Sequence, residues 1–259
     1  MTATATTHGV LGVGSIARAI VVGLCEGTPD PPTIVLSPRG AAVSAELSRR
    51  FPTVSVAADN QGVVDASDLV LVCLRRADAA LLADLTWRPE QVVVSAVAGV
   101  GVSQLGEWVA PATRICRSVP MPPVADRAGL TAVHPPLAEA RALFDRLGST
   151  LEVEDVDAYE ALSATSATLA GFFEYLRTQV DWLETQGIAS ADARRYVAAT
   201  FAGALTSLRS AEAPDFDELA GEYATPGGVN EQVARELREH GSFDALRGAL
   251  DRAMGRLAT

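Results

Sequence analysis

Lysine is absent from this chain of 259 residues, so all 21 of its basic residues are arginine. Against 32 acidic residues they leave a formal net charge of −11. An acidic chain without a basic run argues against nucleic acid and against an anionic membrane as partners. The missing lysine also excludes enzymes that depend on one, such as β-hydroxyacid dehydrogenases, Tyr-Lys short-chain dehydrogenases and Walker-type nucleotide hydrolases.

Long apolar runs, cysteine and histidine are also scarce. No run approaches the roughly 20 apolar residues of a membrane helix, and residues 1–7 lack the basic and apolar segments of a signal peptide. The scattered cysteines are typical of buried thiols in a reducing compartment, so we expect a cytoplasmic protein. No metal-ligand spacing occurs; we expect His8 to precede the first strand and the other histidines to be solvated in loops. The cysteines are Cys25, Cys73 and Cys116, and the histidines are His8, His134 and His240.

A glycine turn near the N-terminus carries the first chemical signal. An apolar run from Gly9 to Val13 leads into Gly12-x-Gly14-x-x-Ala17, and a helical pattern follows. Gly12 permits a sharp turn, Gly14 lets a pyrophosphate approach the backbone, and Ala17 allows the helix to pack against the strand. We therefore predict a dinucleotide site; the alternative is a turn that only closes a strand–helix corner.

The end of the second predicted strand indicates which dinucleotide is bound. Thr33 to Leu36 is followed by Ser37-Pro38-Arg39, a hydroxyl and a guanidinium where a carboxylate would select NAD. These groups suit the 2′-phosphate of NADP. The alternative is a polar turn with a solvated arginine.

Apolar runs then alternate with helical patterns, which predicts an α/β fold: a doubly wound, mostly parallel sheet of the Rossmann type. Such sheets bind ligands at the carboxyl ends of their strands. From Asp157 onward only helical periods occur, and we place a domain boundary near Val156, giving a dinucleotide-binding domain at 1–155 and a helical domain at 156–259. A helical period from Leu162 to Leu183 predicts one long helix. In the first domain Asp78 is predicted to start a helix, and Ser103 is a candidate N-cap. Further strands are predicted at Val54–Ala57, Leu69–Leu74, Gln91–Ala96 and Thr113–Val119, and a last strand, helix and strand within Gly129–Glu154.

A second glycine loop, Thr225-Pro226-Gly227-Gly228, stands before a helical pattern in the second domain. Free N–H groups at such a helix start can hold an anion, and a substrate carboxylate is one candidate. An ordinary inter-helix turn is the alternative.

Taken in order, these segments resemble the pyrroline-5-carboxylate reductase family over nearly the whole chain. The matching segments are Gly12–Ile20, Ser37-x-Arg39, Asn60, Asp68–Arg75, Ser95–Val100, Arg117-x-x-Pro120-x-x-Pro123, Ala161–Ser163 and Pro226–Gly228.

The resemblance implies a Rossmann-type domain followed by an all-helical domain that forms a homodimer, and reduction of a cyclic imine carboxylate with NAD(P)H in proline biosynthesis. It places Ser15, Ile16, Ser37, Arg39, Asn60, Leu74, Arg75 and Ala98 at the cofactor, and Thr225, Gly227, Gly228 and Asn230 at the substrate. We assign Asn230, as acceptor for the imine N–H, and Thr225 to the catalytic set.

The chain departs from the family pattern mainly in its substrate half. Met121, which we assign to substrate binding, stands where the family has an asparagine beside the reacting centre, and Asn230 stands where it has a threonine. Three alternatives therefore stay open: a different small imine in secondary metabolism, an NADP-binding protein with altered catalysis, and a reductase with a deazaflavin partner, which the helical domain disfavours. Tyr223 is a further candidate, as a proton donor; the alternative, which we favour, is a partly buried tyrosine at the end of a helix.

Overall fold

The computed structural model describes residues 6–209 and 215–257. Its centre is one eight-stranded sheet with the strand order β3-β2-β1-β4-β5-β6-β7-β8. All neighbouring strands run parallel except β6 and β7, which are antiparallel. The strands are β1 His8–Leu11, β2 Ile34–Leu36, β3 Val54–Val56, β4 Leu69–Val72, β5 Val92–Ser95, β6 Arg114–Val119, β7 Gly129–His134 and β8 Gly148–Glu152.

Helices cover both faces of the sheet, which is why its central strands are continuous apolar runs. Alternate residues of β4 and β5 point to opposite faces, so each strand contributes to two separate apolar cores. On one face Leu24, Leu47 and Phe144 pack from three helices; on the other Leu82 and Leu105 pack with their neighbours. The helices of this part are α1 Ser15–Cys25, α2 Ala41–Arg50, α3 Asn60–Asp65, α4 Val102–Trp108 and α5 Ala138–Phe144, with 3-10 helices at Arg76–Asp84, Pro122–Asp126 and Asp145–Leu147. The predicted doubly wound fold is confirmed.

The chain forms two compact units. The first extends through Ser166 and takes in the residues from Ala253 onward, and the second is Ala167–Arg252. The domain boundary near Val156 stays a prediction. The helices after the sheet are α6 Val156–Ser166, α7 Leu169–Thr185, α8 Ser190–Ala204, α9 Phe216–Tyr223, α10 Val229–Glu239 and α11 Ser242–Leu257, with a 3-10 turn at Leu205–Arg209.

Several local predictions are wrong. The single long helix is two, because the chain breaks at residues 167–168 between α6 and α7. Just before the break Thr165 and Ser166 donate their hydroxyl protons to carbonyls of their own helix, which weakens helical continuity. Ser103 is not an N-cap but the second residue of α4, whose N-cap is Gly101.

The histidine predictions also need correction. His8 does not precede the first strand: it is the first residue of β1 and is buried. His134 ends β7, where its Nδ1 lies 3.0 Å from the carbonyl oxygen of Val153, and His240 is the exposed C-cap of α10. The described parts of the chain contain no helix with both the length and the hydropathy of a membrane crossing.

Candidate functional site

The glycine turn joins the end of β1 to α1 at the carboxyl edge of the sheet. Gly12 has a φ of +85°, and a Cβ there would lie 2.7 Å from the carbonyl oxygen of Cys73. Cys73 directly follows β4, which pairs with β1, so the two strand ends bring these backbones together. Glycine is therefore required by conformation and by space at this position.

Gly14 has a different reason to be glycine. It is the N-cap of α1 with an extended backbone, and a Cβ at this residue would meet no atom within 4 Å. No side chain caps α1 and its first turn carries no acidic residue, so the positive end of the helix dipole faces open space. Ala17 on the next turn is buried. Together these features fit the pyrophosphate of a dinucleotide.

The loop after β2 is held by the buried hydroxyl of Ser37. That hydroxyl donates to Oδ1 of Asn60 at 2.7 Å and accepts from the backbone N–H of Arg39 at 3.1 Å. The carbonyl of Ser37 accepts a hydrogen bond from the Ser44 hydroxyl at 2.9 Å. Ser37 therefore shapes the loop that presents Arg39, and its fully buried side chain is engaged with protein atoms.

Arg39 reaches across to a residue that our sequence analysis treated only as a helix start. Its Nη2 donates to Oδ1 of Asp78 at 3.0 Å, and Nε of Arg75 donates to Oδ2 of the same carboxylate at 2.8 Å. The Arg75 guanidinium, with that of Arg39, holds the pKa of the Asp78 carboxyl below its usual range. Asp78 does not begin a helix of its own but lies within the 3-10 helix Arg76–Asp84.

One open cleft of about 230 Å³ contains much of the predicted cofactor site. The other predicted cofactor residues do not line it: Asn60 begins α3 and accepts from the Ser37 hydroxyl, Ser15 and Ile16 begin α1, and exposed Ala98 follows β5. The residues that line the cleft are Gly12, Val13, Gly14, Arg39, Gly40, Cys73, Leu74, Arg75 and Asp78.

The second glycine loop lies in the second compact unit, before α10. Gly227 has a φ of +74°, and its N–H donates to Oε2 of Glu231 at 2.6 Å. The N–H of Gly228 donates to the carbonyl of Thr225 at 2.8 Å, and the side-chain amide of Asn230 donates to the carbonyl of Tyr223 at 3.1 Å. The amides predicted to hold an anion are thus occupied by acceptors of the same chain.

The remaining predicted substrate residue, Met121, is half-buried before the 3-10 helix Pro122–Asp126 in the first unit. Tyr223 ends α9 and is 54% exposed. Within the described residues, no three of the histidine, cysteine, aspartate and glutamate side chains cluster as metal ligands would.

A buried ion pair lies outside the cleft and was not foreseen from the sequence. Nη1 of Arg117 on β6 donates to Oε1 of Glu160 on α6 at 2.5 Å, and the two side chains are 3% and 5% exposed. The guanidinium lies 4.6 Å above the ring of Tyr159, and burial raises the pKa of that phenol. The pair lies beside a cavity of about 860 Å³ that Gly99 and His134 also line.

A doubly wound sheet, a glycine turn with an uncapped helix and a pair of arginines at the carboxyl edge together define a dinucleotide-binding protein. Comparison with protein families agrees with that class: residues 7–99 match the family described as NADP oxidoreductase, coenzyme F420-dependent. Residues 154–259 match the family described as pyrroline-5-carboxylate reductase dimerisation. The chain is therefore similar to pyrroline-5-carboxylate reductases, whose dimerisation model matches its C-terminal region.

Full-length relatives show the same likeness. A pyrroline-5-carboxylate reductase of Corynebacterium melassecola is 27% identical, with 96% of this chain and 94% of the relative covered. The 1-pyrroline-5-carboxylate reductase structure from Streptococcus pyogenes superposes with a TM-score of 0.81 at 22% identity, covering 98% of both chains. The Plasmodium falciparum pyrroline carboxylate reductase with NADP bound gives a TM-score of 0.79 at 14% identity, over 98% of this chain and 97% of that one. The cleft residues of this chain, with two arginines beside the glycine turn, fit a dinucleotide that carries a 2′-phosphate.

Proposed function

We propose that this protein reduces the C=N bond of a small cyclic imine carboxylate, pyrroline-5-carboxylate or a close relative, with NADPH. The observation that carries this proposal is the cleft in which Gly12 and Gly14 meet Arg39 and Arg75 at the start of α1. The relatives named as pyrroline-5-carboxylate reductases, matched over nearly their full length, support the choice of reaction.

The chain's own residues would hold and orient the cofactor. The N-terminus of α1, with Gly14, Ser15 and Ile16, would take the pyrophosphate, and Arg39 and Arg75 would take the 2′-phosphate. Leu74, Asn60 and Ala98 would complete the wall along the carboxyl edge, with Ser37 fixing the loop. When bound, the nicotinamide supplies the hydride.

Substrate binding is assigned to the second glycine loop and to Met121. A protonated imine already carries its proton, so reduction needs orientation more than acid–base help. The side-chain oxygen of Asn230 would accept from the imine N–H, since its amide nitrogen donates to Tyr223. Thr225, Gly227 and Gly228 would contact the carboxylate.

A second candidate substrate class is an imine without a carboxylate. One observation favours it: Oε2 of Glu231 already accepts from the Gly227 N–H at 2.6 Å, where a substrate carboxylate would bind. A carboxylated imine must displace this glutamate and experiences its charge, whereas an uncharged ring does neither. Glu231 would then select against the family's usual anion.

The two candidates are separated by following NADPH absorbance with pyrroline-5-carboxylate and with pyrroline, which lacks the carboxylate. The first proposal expects wild-type turnover of the carboxylated ring. The second candidate is supported if wild type turns over only pyrroline and the Glu231→Gln variant gains activity on pyrroline-5-carboxylate. No oxidation of NADPH with any cyclic imine, although the protein binds NADPH, contradicts both. Asp217→Asn, an exposed first-turn position on α9, is the matched charge control.

We also propose a homodimer formed through the helical unit, in line with the dimerisation family that the C-terminal region matches. No residue of the 17-residue helix α7 is buried within the chain, and even its large apolar side chains Phe173 and Trp182 are 64% and 61% exposed. Apolar surface of this extent is typical of a subunit interface. Sedimentation of Trp182→Glu beside wild type tests it: the variant should shift towards monomer, and unchanged sedimentation would place the interface elsewhere.

A further inference from the structure

The carboxylate of Asp78 bridges the two arginines at the mouth of the cofactor cleft. Each of its oxygens accepts from a different guanidinium, Oδ1 from Arg39 at 3.0 Å and Oδ2 from Arg75 at 2.8 Å. The Asp78 side chain is 22% exposed, compared with 49% for Arg39 and 82% for Arg75. The carboxylate therefore lies on the protein side of the group and the arginines on the solvent side.

This arrangement resembles what the 2′-phosphate of NADP would itself form with the same guanidiniums. A phosphate, like a carboxylate, binds arginine through charge-assisted hydrogen bonds from paired N–H groups. Any phosphate placed between Arg39 and Arg75 therefore comes close to the carboxylate of Asp78. With one negative and two positive groups, the cluster has a net charge of only about +1 toward a phosphate that carries nearly two negative charges.

The same carboxylate is favourable for a cofactor without that phosphate. In dinucleotide sites an acidic side chain accepts a hydrogen bond from the ribose 2′-hydroxyl and so selects NAD. Asp78 comes from the 3-10 helix after β4 rather than from the end of β2, where such a residue is usually sought. This different origin explains why the sequence between Leu36 and Arg39 indicates NADP alone.

We propose that Asp78 is a specificity-determining residue, whose carboxylate competes with the 2′-phosphate for Arg39 and Arg75 and lowers the preference for NADPH over NADH. This inference rests on the assignment of the cleft to NADP(H). Because both ion pairs are at least partly exposed, they are weak and yield to a phosphate, so NADPH still binds. The effect is a smaller ratio between the two affinities than two unopposed arginines would give.

Binding of two adenosine fragments tests the proposal without substrate or turnover. Isothermal titration would compare adenosine carrying 2′- and 5′-phosphates with adenosine 5′-phosphate, on wild type and on Asp78→Asn. We expect the variant to bind the doubly phosphorylated fragment about five- to tenfold more tightly, from removal of one like charge at contact distance in a solvated site. Affinity for the 5′-phosphate fragment should stay the same or fall.

A matched control is Asp84→Asn, an exposed aspartate at the end of the same 3-10 helix, which should alter neither affinity. Asp78→Ser serves as a second variant, with thermal melting to verify that each protein is folded. An unchanged or reduced affinity of both Asp78 variants for the doubly phosphorylated fragment overturns the proposal. Because no imine is present, an error in the proposed substrate leaves this result interpretable.

Discussion

The buried pair of Arg117 and Glu160 allows the sharpest stability prediction. The side chains are 3% and 5% exposed and their nearest atoms are 2.5 Å apart, so both charges have lost most of their hydration. Nε of Arg117 and Oε2 of Glu160 are buried with no hydrogen-bond partner. The mutual interaction must therefore offset most of the desolvation of both groups.

Removing one charge leaves the other buried and uncompensated. We expect Glu160→Gln to lower the free energy of unfolding by about 3 to 5 kcal/mol, the range typical of breaking a buried pair. For a chain of this size that corresponds to a fall of roughly 10 °C in melting temperature. The double replacement Arg117→Met with Glu160→Leu should be much less harmful than the sum of its single changes, because it removes both charges.

Denaturant unfolding of wild type, Arg117→Met, Glu160→Leu and the double variant at one protomer concentration gives the required double-mutant cycle, and Glu160→Gln is measured beside them. Glu174→Gln is the control, since both side chains of its pair with Arg177 are 64% exposed and the pair should contribute little to stability. A loss below about 1 kcal/mol for Glu160→Gln would refute the reasoning. The reasoning would also be refuted if the stability losses of Arg117→Met and Glu160→Leu added up to that of the double variant, since the two charges would then not depend on each other.

Four further predictions each concern a single residue. Gly12→Ala should destabilise the fold by about 2 kcal/mol or more, because φ is +85° and a Cβ would lie 2.7 Å from a carbonyl oxygen. Gly14→Ala should have the melting temperature of wild type but bind NADPH more weakly, since its Cβ would occupy the open space at the start of α1. Calorimetry measures stability and titration measures NADPH affinity, and equal behaviour of Gly12→Ala and Gly14→Ala would contradict the assignment of Gly14 to the cofactor. Burial raises the pKa of the Cys116 thiol to about 12, so a thiol reagent at pH 8 should modify it only after unfolding, and rapid labelling of the native protein would be inconsistent with this. Burial, and then the charge of Arg146, lowers the pKa of His8 to about 4, so between pH 6.5 and 4 the unfolded chain binds a proton that the folded chain does not. The free energy of unfolding should therefore decrease as the pH falls through that window, by about 2 kcal/mol at pH 5. If His8→Asn shows the same dependence of stability on pH as wild type, His8 does not cause it.

Most of the fold of the first unit could be predicted from the sequence because its signals are local. The runs of β4 and β5 are continuous and apolar since both faces of those strands are covered, and helices of ordinary length separate them. The glycine turn carries its own steric reasons, so its position at the end of β1 and the start of α1 follows from residue types alone. Such signals need no knowledge of which distant residues meet.

The helical region was harder to predict because helical period alone does not fix helix ends. A steady apolar spacing continues across residues 167–168, where hydroxyl groups of the preceding turn bond to backbone carbonyls and the helix stops. The start of the short helix α9 was missed, although Asp215 accepts from the N–H groups of Asp217 and Glu218 as an N-cap does. An N-cap before a segment this short is a weak signal without its surroundings.

The two acidic residues that adjust the candidate site, Asp78 and Glu231, belong to no sequence motif. Each acts through partners that only the folded chain brings to it. Asp78 matters because β1, β2 and β4 are neighbours in the sheet, which brings the loops carrying Arg39 and Arg75 to one carboxylate. Glu231 matters because a turn with a positive φ at Gly227 directs an amide at its side chain. In both cases a carboxylate of the chain lies where the sequence motif predicts a negatively charged ligand group. The motif identifies the kind of ligand, whereas these two acidic residues govern how strongly its charge is favoured, and that balance depends on the folded geometry.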